Sequence, residues 1–226
     1  MPIPESALIA ERLHSALATP EAVADLRRYF GINLGQDERP FTGSRFEHLA
    51  GGGDGPSAAD MVTADDLIAV QMLSVTLPAQ ACLDLLEGRL GEELSALLSR
   101  IPADVDMAAA DATELSPGSP ADTAWHLLTD QHGIGWVTAG KLLARKRPRL
   151  LPVYDQVVRC LLGRPTSFWL SLHTALRADE GALHQALLTL RQTACVPETV
   201  SALRVCDVVL WMRHHAEHRE ADCVPR

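Results

Sequence analysis

The chain is nearly without lysine: its 226 residues include two, Lys141 and Lys146. Aromatic residues make up only 4%. That scarcity leaves the core to Leu, Ala and Val, a mixture that favours helices over sheets. Cysteine is sparse as well. Cys82, Cys160, Cys195, Cys206 and Cys223 are odd in number and form no Cys-x-x-Cys pair. This argues against a disulfide framework and for reduced thiols in a cytoplasmic protein. No apolar run reaches the roughly 18 residues of a membrane span. The start Met-Pro-Ile-Pro-Glu-Ser has neither the charged nor the apolar region of a signal peptide. No membrane partner is expected. A Gly-x-Ser-x-Gly elbow is missing, and the glycine-dense stretch from Gly51 to Gly55 lacks the lysine of a phosphate loop.

Hydrophobic residues account for 47%, enough for a substantial core. The length suits one domain, or two small lobes sharing a cleft. A net charge of −9 speaks against a general nucleic-acid binder. The charge is unevenly spread. Between Gly133 and Arg164 lie seven basic residues and one acidic residue, a local +6 that leaves −15 elsewhere. Such a basic segment is what a phosphate-gripping face needs, although a solvated charged turn after a helix would look the same.

The pattern predicts an all-α fold of about ten helices in two lobes around a helix-hairpin-helix motif. Residues 1–60 read as N-terminal helices followed by a Gly-rich loop, 61–217 as a helical domain containing the hairpin, and 218–226 as a polar, frayed tail. Within the first part, 5–18 and 20–30 are helical. The 31–60 stretch is too rich in Gly and Pro for a helix, but Phe41 and Phe46 point to an ordered loop. Thr63-Ala-Asp-Asp66 is a capping box that opens the next helix. Pro78 to Leu86 and Glu92 to Arg100 continue the helical pattern. Ser119-Pro120-Ala-Asp122 is a second start signal, with a serine cap and proline in the first turn. Helices over 165–178 and 181–193 precede a final packing helix from Pro197 to about Glu217.

The chain is organised around Gly133-Ile134-Gly135-Trp136-Val137-Thr138-Ala139-Gly140-Lys141, which runs on to Pro152-Val153-Tyr154-Asp155. The amphipathic run 121–131 meets a Gly-x-Gly turn, and helical spacing resumes at Trp136. Two glycines permit a tight turn and close approach by a backbone. The unpaired N–H groups and positive dipole end of the following helix suit an anion. Lys141 and Arg145 share one face of that helix. This arrangement resembles the helix-hairpin-helix DNA glycosylases over roughly residues 121–163. The chain is also similar to a bacterial helical family without an assigned function.

The resemblance implies a DNA contact through Gly133, Gly135, Thr138, Lys141 and Arg145, and a catalytic Asp155, twenty residues after Gly135. It implies a base pocket that uses Trp136 and Tyr154. Val137 occupies the position of the Schiff-base lysine of bifunctional members, so a glycosylase here would lack lyase activity. Gln131-His132 replaces the usual Leu-Pro. The four closely spaced cysteines of iron–sulfur members are absent, so no such cluster and no cofactor is expected, and duplex DNA is the expected partner. Asp155 can equally be read as a helix cap, and Trp136, Tyr154 and Trp169 as core. The alternative to an enzyme is a non-catalytic scaffold that keeps the hairpin for phosphate binding or packing. His214 and His218 are spaced for a metal, but a solvated helix end explains them as well and no metal is assigned.

Overall fold

The computed structural model describes residues 3–216 and 218. Among the described residues there are ten α-helices and no strand, as the all-α reading expects. They are α1 (Glu5–Leu17), α2 (Glu21–Phe30), α3 (Ala64–Gln71), α4 (Ala79–Glu87), α5 (Arg89–Leu98), α6 (Pro120–Thr129), α7 (Trp136–Lys146), α8 (Gln156–Leu162), α9 (Phe168–Thr193) and α10 (Ala202–His214). Helix α9 is interrupted at 178–181, where Asp179, Glu180 and Gly181 all have positive φ, so it comprises the two helices expected there.

The helices form two compact units, and the division differs from the expected break at residue 60. One unit contains Met1–Phe41, Met107–Ala109 and Tyr154–Arg226; the other contains Thr42–Asp106 and Ala110–Val153. The reason lies in what the N-terminal helices pack on. Helix α1 lies on α9, α10 and α8, and α2 lies on α10 and α9, so both join the C-terminal half. Helix α10 is this unit's centre, with Ala202 through Leu210 all buried. A helix buried through consecutive residues over more than two turns is covered on every side. Its two buried charges pair with each other: Arg204 donates to the Asp207 carboxylate and to the Tyr29 hydroxyl.

In the second unit, α4 packs on α5, α5 on α6, α6 on α7 and α3 on α7. The two start signals read from the sequence are present. Thr63 Oγ1 accepts from Asp66 N while Asp66 Oδ2 accepts from Thr63 N, closing the capping box. Ser119 caps α6 by accepting from Asp122 N. Residues 42–61 form an ordered loop containing two short 3-10 turns, Thr42–Arg45 and Leu49–Gly51. The tail beyond His218, including Cys223, lies outside the described residues.

Candidate functional site

Helices α6 and α7 pack on each other in the second unit and are joined by the tight turn, or hairpin, around Gly133 and Gly135. Ile134 is buried and pins the turn to the core, while its N–H donates to Gln131 O at 3.1 Å. The flanking glycines are exposed and serve different ends. Gly133 has φ +79°, and a Cβ there would lie 2.4 Å from Pro78 Cγ. Conformation and packing both demand glycine. Gly135 has φ −82° and ψ 169°, ordinary extended values. A Cβ on it would meet nothing within 4 Å. Gly135 is the N-cap of α7, its carbonyl accepts from Ala139 N, and no side chain caps the helix. Trp136 and Val137 are half-buried; the Thr138 side chain is buried, so it turns into the protein rather than towards a ligand.

The basic side chains expected to grip phosphate are not on the surface. Lys141, Arg145, Lys146 and Arg147 are 5%, 1%, 0% and 0% exposed. Lys141 Nζ donates to Leu73 O at 2.8 Å, just past the end of α3. Arg145 donates from Nε to Asp66 Oδ1 (2.9 Å), from Nη1 to Phe46 O (2.6 Å) and from Nη2 to Leu49 O (2.7 Å). The expectation that Lys141 and Arg145 contact DNA is therefore corrected. Their heads are aimed inward at groups that would be costly to leave unpaired.

The burial has a clear cause. The irregular 42–61 loop turns the carbonyls of Phe46, Leu49, Ala58 and Ala59 towards α7, and buried carbonyls are favoured by donors. The end of α7 supplies them. Lys146 Nζ donates to Ala58 O (2.7 Å) and Asp66 Oδ2 (2.8 Å). Arg147 donates from Nη1 to Ala59 O (2.7 Å) and from Nη2 to Asp60 Oδ1 (2.7 Å). Arg147 also donates to Leu98 O and Ile101 O, closing the C-terminal end of α5 where a cation suits the helix dipole. Gly53 allows this closeness: a Cβ there would come within 2.4 Å of Arg145 O. Burial pushes Lys146 below the usual lysine range, with the Asp66 carboxylate opposing the shift, and lowers Arg147 in the same way against Asp60. Asp66, 1% exposed, thus caps α3 and holds two cations. The capping box was visible in the sequence. The ion pairs, made to residues 79 and 80 positions away, had no local signal.

The remaining bases do not restore a basic face to the hairpin's unit. Arg149 is held by both oxygens of Asp106, which raises its pKa, and Arg159 and Arg164 belong to the other unit. Asp155 also belongs to that other unit. Its Oδ1 accepts from Val157 N and Val158 N, both at 3.1 Å, so it caps α8. Tyr154 stacks on Phe168, with ring centroids 3.8 Å apart and planes 15° apart, and its hydroxyl donates to Gly163 O. Burial pushes its phenol up to about 12. Tyr154 thus packs against its own unit. Trp136 sits in the hairpin's unit and Tyr154 in the other.

The first unit also gathers donors that the sequence kept apart. Cys160, His214 and His218 each offer one atom within 4.8 Å of the others. Cys160 is disulfide-bonded, whereas Cys82, Cys195 and Cys206 are free, so the expectation of uniformly reduced thiols is corrected. Burial pushes the Cys206 thiol up, making it inert at neutral pH. No helix among the described residues is long and apolar enough to cross a membrane.

No curated protein and no solved structure matches the chain. A family model does, over residues 22–214, which include both units' helices from α2 to α10. The chain belongs to that family, a family of unknown function (DUF6308).

Proposed function

We propose that the protein is a helix-hairpin-helix DNA-binding protein that meets the phosphate backbone through the main chain of residues 132–136. The observation that carries this reading is Gly135. It is exposed, its φ and ψ suit any residue, and its missing Cβ faces open space. Neither the backbone nor the packing of this chain explains a glycine there, whereas close approach by a ligand does. The adjacent N-terminus of α7, which no side chain caps, supplies N–H donors and the favourable end of the dipole.

The test leaves Lys141 and Arg145 intact, because removing either would damage the fold. Binding of a duplex oligonucleotide is followed by fluorescence anisotropy across a salt series. The expected result is weak binding with a negative salt slope. Gly135→Ser keeps a good helix cap but adds bulk where a phosphate would approach. It should weaken binding while leaving the melting temperature nearly unchanged. Equal binding by variant and wild type would remove the hairpin from the interface.

Two observations favour a second reading, a scaffold that uses the hairpin for packing only. The cations of α7 serve the 42–61 loop, and Asp155 serves α8. Absence of binding at any salt concentration would favour it. A catalytic role for Asp155 is the stronger form of the first reading. It predicts base release from an oligonucleotide carrying uracil, an alkylated base or an oxidised base. Asp155→Asn would abolish that release, since it keeps a capping side chain and removes the negative charge.

A further inference from the structure

The Cys160–His214–His218 cluster has the chemistry of a metal site. Cys160 lies on α8 and His214 closes α10, and these helices pack on each other. His214 Nε2 is 3.4 Å from Cys160 Sγ. The His214 and His218 rings are 5.4 Å apart between centroids. All three residues are partly exposed, so an ion can reach them. In a tetrahedral zinc site, bonds of about 2.3 Å to sulfur and 2.0–2.1 Å to nitrogen place neighbouring donors roughly 3.3–3.7 Å apart. The His214–Cys160 separation already falls in that range, and the widest separation in the cluster, within 4.8 Å, can close by rotation of partly exposed imidazoles.

The sulfur decides when such a site can exist. A disulfide sulfur has no charge and is a poor metal ligand, whereas a thiolate binds borderline-soft cations strongly. We propose that reduction of the Cys160 disulfide creates a site for a zinc-class divalent cation. Its ligands are the Cys160 thiolate and one ring nitrogen each from His214 and His218, with the fourth position left to water. The reductant is a dithiol. It gives two electrons and two protons to the Cys160 disulfide, which becomes two thiols, and itself closes to a disulfide. Metal binding then releases the Cys160 proton to solvent, while both imidazoles bind in their neutral form. Metal uptake therefore reports the redox state of Cys160. This inference stands apart from the DNA reading, because its residues all lie in the unit without the hairpin.

Cobalt(II) is a suitable probe, added to the full chain before and after dithiol reduction and anaerobic desalting. The reduced protein should take up one equivalent, with a thiolate-to-cobalt charge-transfer band and tetrahedral d–d bands that zinc abolishes. The oxidised protein should show neither. Cys160→Ser should lose the charge-transfer band, and the double variant His214→Gln, His218→Gln should lose stoichiometric uptake. The double variant leaves the disulfide untouched, so it decides the matter even if Cys160→Ser fails to fold. Three results would overturn the proposal: no uptake by reduced wild type, equal uptake by oxidised protein, or a charge-transfer band surviving in Cys160→Ser. The last would assign the sulfur to another cysteine.

Discussion

The two ends of α7 contrast sharply. At its start Gly135 is exposed, no side chain caps the helix, and the backbone there has a conformation that any residue could adopt. At its end, Arg145, Lys146 and Arg147 are consecutive, cationic and buried to within 1%. An expected anion-binding helix would carry its positive charge outward. This one turns it inward, onto Asp66, Asp60 and carbonyls of the irregular 42–61 loop. A run of bases in a sequence can therefore be an internal scaffold for irregular backbone. The proposed DNA contact therefore rests on the dipole and main chain at the other end.

The largest effect should follow from breaking the buried end. Asp66→Ala removes the capping box and leaves Arg145 and Lys146 without their carboxylate. Losing one partner of a buried ion pair typically costs about 3–5 kcal/mol, so chemical denaturation should show a loss of at least that size. A loss below about 1 kcal/mol would mean that the carbonyls alone hold the cations.

At the hairpin, the two glycines should separate in size of effect. Gly133→Ala forces a Cβ into Pro78 and a non-glycine residue into positive φ, a strain of about 1–3 kcal/mol before the clash is counted. Thermal unfolding measures it, and an unchanged midpoint would contradict the packing of the turn on Pro78.

Asp155 extends the comparison to an anion. Asp155→Ala should cost about 0.5–2 kcal/mol through loss of the α8 cap, and Asp155→Asn much less. Equal losses in the two variants would show that the charge, not the cap, stabilises the fold.

The smallest stability effect should be that of Gly135→Ser, within about 0.5 kcal/mol of wild type, as for a surface position away from special contacts. A cost near that of Gly133→Ala would show that Gly135 is needed by the fold, and the argument for a ligand at the hairpin would lose its basis.

Much of the local structure was legible. Thr63–Asp66 and Ser119–Asp122 announce helix starts because caps are made between residues three apart. The break near Gly181 follows from glycine, and the burial of Val205, Val208, Val209 and Leu210 from their apolarity. The site was less legible. Lys141 and Arg145 were correctly placed on one helix, but which side of it faces the loop depends on contacts with residues 68 to 99 positions away. The same limit hid Cys160, which is 54 residues from His214.

The sequence alone determined that this chain is helical, where most helices begin and end, and that Gly133 and Gly135 form a tight turn. These are short-range matters of caps, periodicity and backbone freedom. The tertiary structure decided the division into two units, the inward turn of the basic residues and the meeting of Cys160 with two histidines. Each depends on which distant backbone groups need a donor and which helices share a face, and those requirements exist only once the chain has packed.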